Sequence, residues 1–156
     1  MRSTDTPIPT QLRIVAWPDP IVDALGFPPH DPYSEIAWLP ILGPASTLAY
    51  RRMAGTLVHH PDGFTLDVAE FAQALGLGMG TGHNAPVCRT LRRVAAFGLA
   101  RFDDPDTYAV RRRIPPVSAS QLRRLSPELR RVHTALLARH DDRRLNGSGA
   151  QLRRGA

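Results

Sequence analysis

Apolar residues recur at helical spacing through the middle of this chain, in runs bounded by turn-forming residues. From residue 45 onward Leu48, Ala49, Met53, Ala54, Leu57 and Val58 fall on a helical period, with Pro44 suited to the first turn. The cluster His59-His60-Pro61-Asp62-Gly63 ends that helix. A second helix is predicted over 66–75, with Thr65 as N-cap, Val68, Phe71, Ala72 and Leu75 on one face, and Gly76 as its stop. A third opens at Asn84, read as the N-cap, with Pro86 in its first turn. Val87, Leu91 and Val94 line its buried side, and Phe97-Gly98-Leu99 closes it. The period then changes. Strands over 99–102 and 108–114 flank Asp103-Asp104-Pro105-Asp106-Thr107, which reads as a hairpin stopped by Pro115-Pro116. Two more helices follow, 118–125 and 126–140. The last has Ser126 as N-cap, Pro127 at its first position and a stripe of Leu129, Val132, Leu136 and Leu137.

The N-terminal part is less regular. Residues 1–11 are polar and Pro-rich and are expected to be disordered. Residues 12–17 read as a short strand or an extended arm, and the prolines of 18–34 leave room only for a short helix. The segment 35–42, with Ile36, Trp38, Leu39, Ile41 and Leu42, must be buried.

Charge adds a direction to this pattern. The chain has no lysine, which excludes a lysine Schiff base or a P-loop lysine. Residues 1–88 hold four Arg against eight acids; residues 89–156 hold sixteen Arg against six. The positive half therefore begins at the third helix, and a one-sided positive field suits a phosphate backbone. At 100° per residue, Arg89, Arg92 and Arg93 lie opposite Val87, Leu91 and Val94. Along the second hairpin strand Arg111 and Arg113 share one side and Arg112 takes the other. Asp103, Asp104 and Asp106 at the tip run against phosphate contact there, so contact is expected through the strand arginines.

Other chemistry is thin. The glycines at 76, 78, 80 and 82 miss the dinucleotide-binding spacing, which needs glycine at Thr81 or His83. The histidines and Cys88 lack zinc-site spacing, so neither metal nor cofactor is expected. A single cysteine precludes an intramolecular disulfide; Cys88 is read as half-buried, with a thiolate stabilised by the helix start and Arg89 as the alternative. No motif joins a catalytic set, so the chain is read as a non-enzyme. No signal peptide or membrane-length apolar run is visible, and the expectation is a cytoplasmic, nucleoid-associated protein.

Phe71-Ala72-Gln73-Ala74-Leu75-Gly76-Leu77 resembles the first helix and turn of helix-turn-helix proteins. Over about residues 45–114, element order and this turn resemble winged helix-turn-helix regulators, although the loop through Gly82 is longer than most members carry. Over about 33–135, stretches such as Trp38-Leu39-Pro40-Ile41-Leu42-Gly43-Pro44 and Val110-Arg111-Arg112-Arg113-Ile114-Pro115-Pro116 resemble a group of uncharacterised actinobacterial proteins, which brings no function with it. The resemblance implies a mainly α fold with a small β-hairpin wing: a Pro-rich arm (1–34), a winged helix-turn-helix domain (35–118), C-terminal helices (119–142) and a disordered basic tail (143–156). It implies a transcriptional regulator that holds double-stranded DNA through Asn84, Arg89, Thr90, Arg92, Arg93, Arg111 and Arg113. Helix 126–140 either packs back on the core or pairs with a second copy as a homodimer. The alternative is a winged-helix interaction module within a larger complex, without DNA contact.

Overall fold

The computed structural model describes residues 6–152. Its elements are β1 (Gln11–Trp17), α1 (Pro20–Leu25), a π-helical turn (Ser34–Trp38) running into α2 (Leu39–Leu42), α3 (Pro44–His59), β2 (Phe64–Asp67), α4 (Val68–Ala74), α5 (Pro86–Ala96), β3 (Ala100–Asp104), β4 (Thr107–Arg111), α6 (Ala119–Leu122) and α7 (Pro127–Leu152).

The four strands form one mixed sheet in the order β2-β1-β4-β3. β1 runs antiparallel to β2 and parallel to β4, with Ile14 paired to Phe64 on one side and Tyr108 on the other. Its sequence alternates as a strand buried on one face must: Leu12 and Ile14 are fully buried, Gln11 and Arg13 exposed. Leu12, Ile14, Leu66, Tyr108, Val110 and Ala100 point to one face of the sheet. There α3 and α5 pack, contributing Ala49, Tyr50, Met53, Leu57, Val87, Leu91 and Val94 to the core. The buried phenols are tied as burial demands. Tyr108 donates to the Leu91 carbonyl at 2.7 Å and Tyr50 to the Arg111 carbonyl at 3.1 Å.

This architecture corrects the winged helix-turn-helix expectation: the fold is α/β, a mixed four-strand sheet packed against helices. The cause is β1. The N-terminal segment is not an arm but an interior strand threaded between β2 and β4. The hairpin therefore joins the sheet through β4, and its Tyr108 and Val110 are core residues. The connection 75–85 is also too long for a tight helix-helix turn.

Local signals were displaced too. Phe64 to Asp67 form β2, so Thr65 is a strand residue and Asp67 caps α4, accepting from the Glu70 N–H at 2.9 Å. Gly63, at φ +96°, turns the chain from α3 into β2; a Cβ there would meet the Ile14 carbonyl oxygen at 2.5 Å, so only glycine fits. Ser126 does cap α7, accepting from the Leu129 N–H. α7 continues to Leu152, so the stretch read as a tail from 143 is helical that far; Arg153 and Arg154, like residues 1–5, lie outside the described residues. Among the described residues no helix is long and apolar enough to cross a membrane.

α7 lies back against the body. Leu129, Leu136 and Leu137 pack on the core. The buried His133 places Nε2 2.9 Å from the Tyr33 hydroxyl, which also accepts the Val117 N–H at 2.8 Å. His140 stacks on Phe27, itself stacked on Tyr33.

Candidate nucleic-acid interface

The sequence singled out seven contact residues, and the fold gives them very different surroundings. Arg111 lies on the sheet face away from the helices, beside its pairing partner Trp17. Its guanidinium carbon sits 3.8 Å from the Trp17 ring centre, its Nε donates to the Gly98 carbonyl and its Nη1 pairs with Asp19. Arg101 stacks near the same indole at 4.7 Å. Arg113 donates to the Gly26 carbonyl at 3.0 Å. These arginines, Arg113 lying just beyond the end of β4, hold the N-terminal segment to the hairpin. Arg111, hydrogen-bonded to Asp19, keeps that carboxyl below its ordinary range. A carboxylate so lowered adds stability above its ordinary pKa and loses it as pH falls. Asp19→Asn is therefore expected to be less stable than the wild type at neutral pH, the difference closing on acidification; thermal unfolding at pH 7 and pH 3 checks this.

Arg92 is drawn inward to the connection before α5. It donates to the His83 carbonyl at 2.6 Å and lies 3.1 Å from His83 Nδ1. It also shares a cleft with Asp103 and Asp104 of the hairpin, which offset its charge. Of the tip acids, Asp103 is paired with Arg101, whose Nε lies 2.6 Å from its Oδ1. Cys88 is buried, its thiol 3.5 Å from the Thr81 carbonyl oxygen. Burial pushes its pKa up against the opposing charge of Arg92, contrary to the stabilised-thiolate alternative.

The remaining residues gather differently. Arg93 reaches across from α5 and donates to the Leu42 and Ile41 carbonyls at 2.7 and 2.9 Å, satisfying the end of α2. Arg89, one turn earlier, is exposed and makes no hydrogen bond or ion pair among the described residues. Thr90 between them is buried, at 6% exposure. All three line a groove of about 430 Å³ between α5 and the start of α3, with Leu42, Gly43, Pro44, Ala45, Ser46, Leu77 and Pro86. No carboxylate lines it, and the first residues of two helices, Pro44 and Pro86, both border it. It carries two guanidinium charges and two positive helix ends. Asn84 is exposed in the preceding connection; the N-cap of α5 is Ala85, which offers no side-chain cap.

Three of the seven therefore border one groove, Arg89, Thr90 and Arg93, with Arg93 also bonded to the Leu42 and Ile41 carbonyls; Arg92, Arg111 and Arg113 are engaged elsewhere within the protein, and Asn84 lies outside the groove. Sequence reading missed Ser46 and the first turn of α3. The available signal was a helix start at Gly43-Pro44 without a capping side chain. No protein-family model matches the chain, and neither the curated proteins nor the solved structures supply a match to it.

Proposed function

We propose that the protein binds duplex DNA, as a transcriptional regulator, by seating backbone phosphate in the groove between α3 and α5. The observation that carries this reading is the unpaired Arg89 beside Arg93 in a groove free of carboxylates. The net positive charge of residues 89–156 supports it, since that field favours approach of a polyanion. The reading needs no wing: Arg111 and Arg113 serve the sheet.

The test is binding to mixed-sequence duplex across a salt series. The logarithm of affinity is expected to fall linearly with the logarithm of salt, by about 0.9 per phosphate contacted. Arg89→Ala is expected to lower affinity about tenfold, the loss of one charge-assisted contact, and to flatten the slope by about 0.9. Its melting temperature should be unchanged, because Arg89 holds nothing in the fold. Absence of binding at low salt would sink the reading. It would favour the second one, an interaction module, for which Ile21 and Leu25 offer an exposed apolar strip four residues apart on α1.

A further inference from the structure

The groove contains more than arginines. The first intrahelical bond of α3 runs from the Thr47 N–H to the Gly43 carbonyl at 3.1 Å. The N–H groups of Ala45 and Ser46 precede it and have no acceptor in the helix, and Gly43 has no side chain to cap them. Ser46 and Thr90 are 3% and 6% exposed, and both line the groove. Thr47, Thr56 and Thr134 turn their hydroxyls back to helix carbonyls, at Gly43, Arg52 and Arg130. Neither Ser46 nor Thr90 makes such a bond among the described residues. No fully enclosed side-chain oxygen there lacks a partner. The two unpaired hydroxyls therefore keep solvent contact, and the groove is the opening both residues border.

We infer that the first turn of α3 is a seat for a phosphoryl group. The Ala45 and Ser46 N–H groups and the Ser46 hydroxyl donate to its oxygens. The Thr90 hydroxyl faces it from α5, and Arg89 and Arg93 balance its charge. Leu42, Pro44, Leu77 and Pro86 form apolar walls suited to the sugar carbons on either side of a backbone phosphate. The phosphoryl group is a nucleic-acid phosphodiester; this assignment rests on the DNA-binding reading, whereas the seat itself does not.

Amide resonances of the full chain are followed during two separate titrations, one with a 12-base-pair duplex lacking terminal phosphates and one with inorganic phosphate. The duplex is expected to move the Ala45 and Ser46 amides, saturating with binding, at far lower concentration than inorganic phosphate does. Ser46→Asp places a carboxylate where the phosphate sits and is expected to weaken duplex binding at least tenfold, with the melting temperature followed alongside because Ser46 is nearly enclosed. Ser46→Ala, which removes one donor without adding bulk, is expected to weaken it about threefold. Duplex binding with still Ala45 and Ser46 amides, and with Ser46→Ala as tight as wild type, overturns the seat and leaves the DNA reading standing. Movement with inorganic phosphate, together with no duplex binding anywhere on the chain, upholds the seat, assigns it to small phosphate anions and removes the DNA reading. No movement with either ligand overturns the seat.

Discussion

Replacing Ile14 with alanine is expected to cost about 2–5 kcal/mol of folding stability, the range for truncating a large aliphatic side chain in a closed core. For a chain of this length that corresponds to a fall in melting temperature of roughly 2–4 °C per kcal/mol. Ile14 is fully buried and sits between Phe64 of β2 and Tyr108 of β4, so the lost methyl groups leave a cavity that neither neighbouring strand is free to close. Its neighbour Arg13 is exposed, with its guanidinium on the Asp62 carbonyl, and Arg13→Ala should stay within about 1 kcal/mol. The contrast tests the threading. Were residues 11–17 an appended arm, both substitutions would be nearly silent and a chain starting at Pro18 would fold. With β1 inside the sheet, that truncated chain exposes the inner edges of β2 and β4 together and is not expected to fold cooperatively. Urea titrations of the two point variants decide the matter: equal midpoints would mean that β1 is not where the sheet places it.

β1 also marks the limit of what the sequence made legible. The buried side of α5, Val87, Leu91 and Val94, was readable because helical periodicity is local. The hairpin and the cap at Ser126 were readable for the same reason, since each depends on a few adjacent residues; the capping box at Ser118 was not read. The parallel pairing of β1 with β4 joins residues 13–17 to 107–111, and no short-range pattern records which strand lies beside which. In α3, Leu48 and Val58 fall on the helical period yet are exposed, while Tyr50, absent from that series, is buried with its hydroxyl on the Arg111 carbonyl. A tyrosine buries readily once its oxygen has an acceptor, and that acceptor lies in another strand.

The site was legible to the same partial degree. Periodicity identified the arginine face of α5 but not which guanidinium groups were free. Arg92 and Arg93 are spent on carbonyls of His83, Ile41 and Leu42, and a backbone acceptor leaves no mark on the sequence. A triple alanine replacement of Arg89, Arg92 and Arg93 would for that reason disturb the fold along with the groove. Arg89 alone gives a clean answer.

Tyr33→Phe is expected to cost about 2–6 kcal/mol, although it deletes one oxygen and keeps the ring stacked on Phe27. The Tyr33 hydroxyl accepts the Val117 N–H and lies against His133 Nε2, 2.9 Å away. With the N–H on the phenol oxygen, all three groups are satisfied when the phenol donates to Nε2 of a neutral imidazole. Phenylalanine orphans a buried N–H and a buried ring nitrogen, at about 1–3 kcal/mol each. The loss should fall on the docking of α7, since His133 is the buried polar residue of that helix among the described residues. Hydrogen exchange is expected to quicken along residues 127–140 before it does in β1 or β4. The same network gives stability a pH dependence at both ends. Burial holds the His133 pKa below its ordinary value near 6.5. The unfolded chain therefore takes up the proton first, and this contribution, complete above about pH 6.5, is lost as pH falls below it. Burial pushes Tyr33 up to about 12, against the opposing pull of the Val117 N–H. Its contribution is complete below about pH 10, the ordinary tyrosine value, and is lost as pH rises toward 12. His133→Gln should flatten the acid limb, whereas Tyr33→Phe should make the alkaline limb shallower without removing it, because burial also raises Tyr50 and Tyr108; urea midpoints from pH 5 to 11 measure both. A Tyr33→Phe chain with the wild-type midpoint and unaltered exchange in α7 would show that this helix is held by its leucines and His140 without the Tyr33–His133 bond.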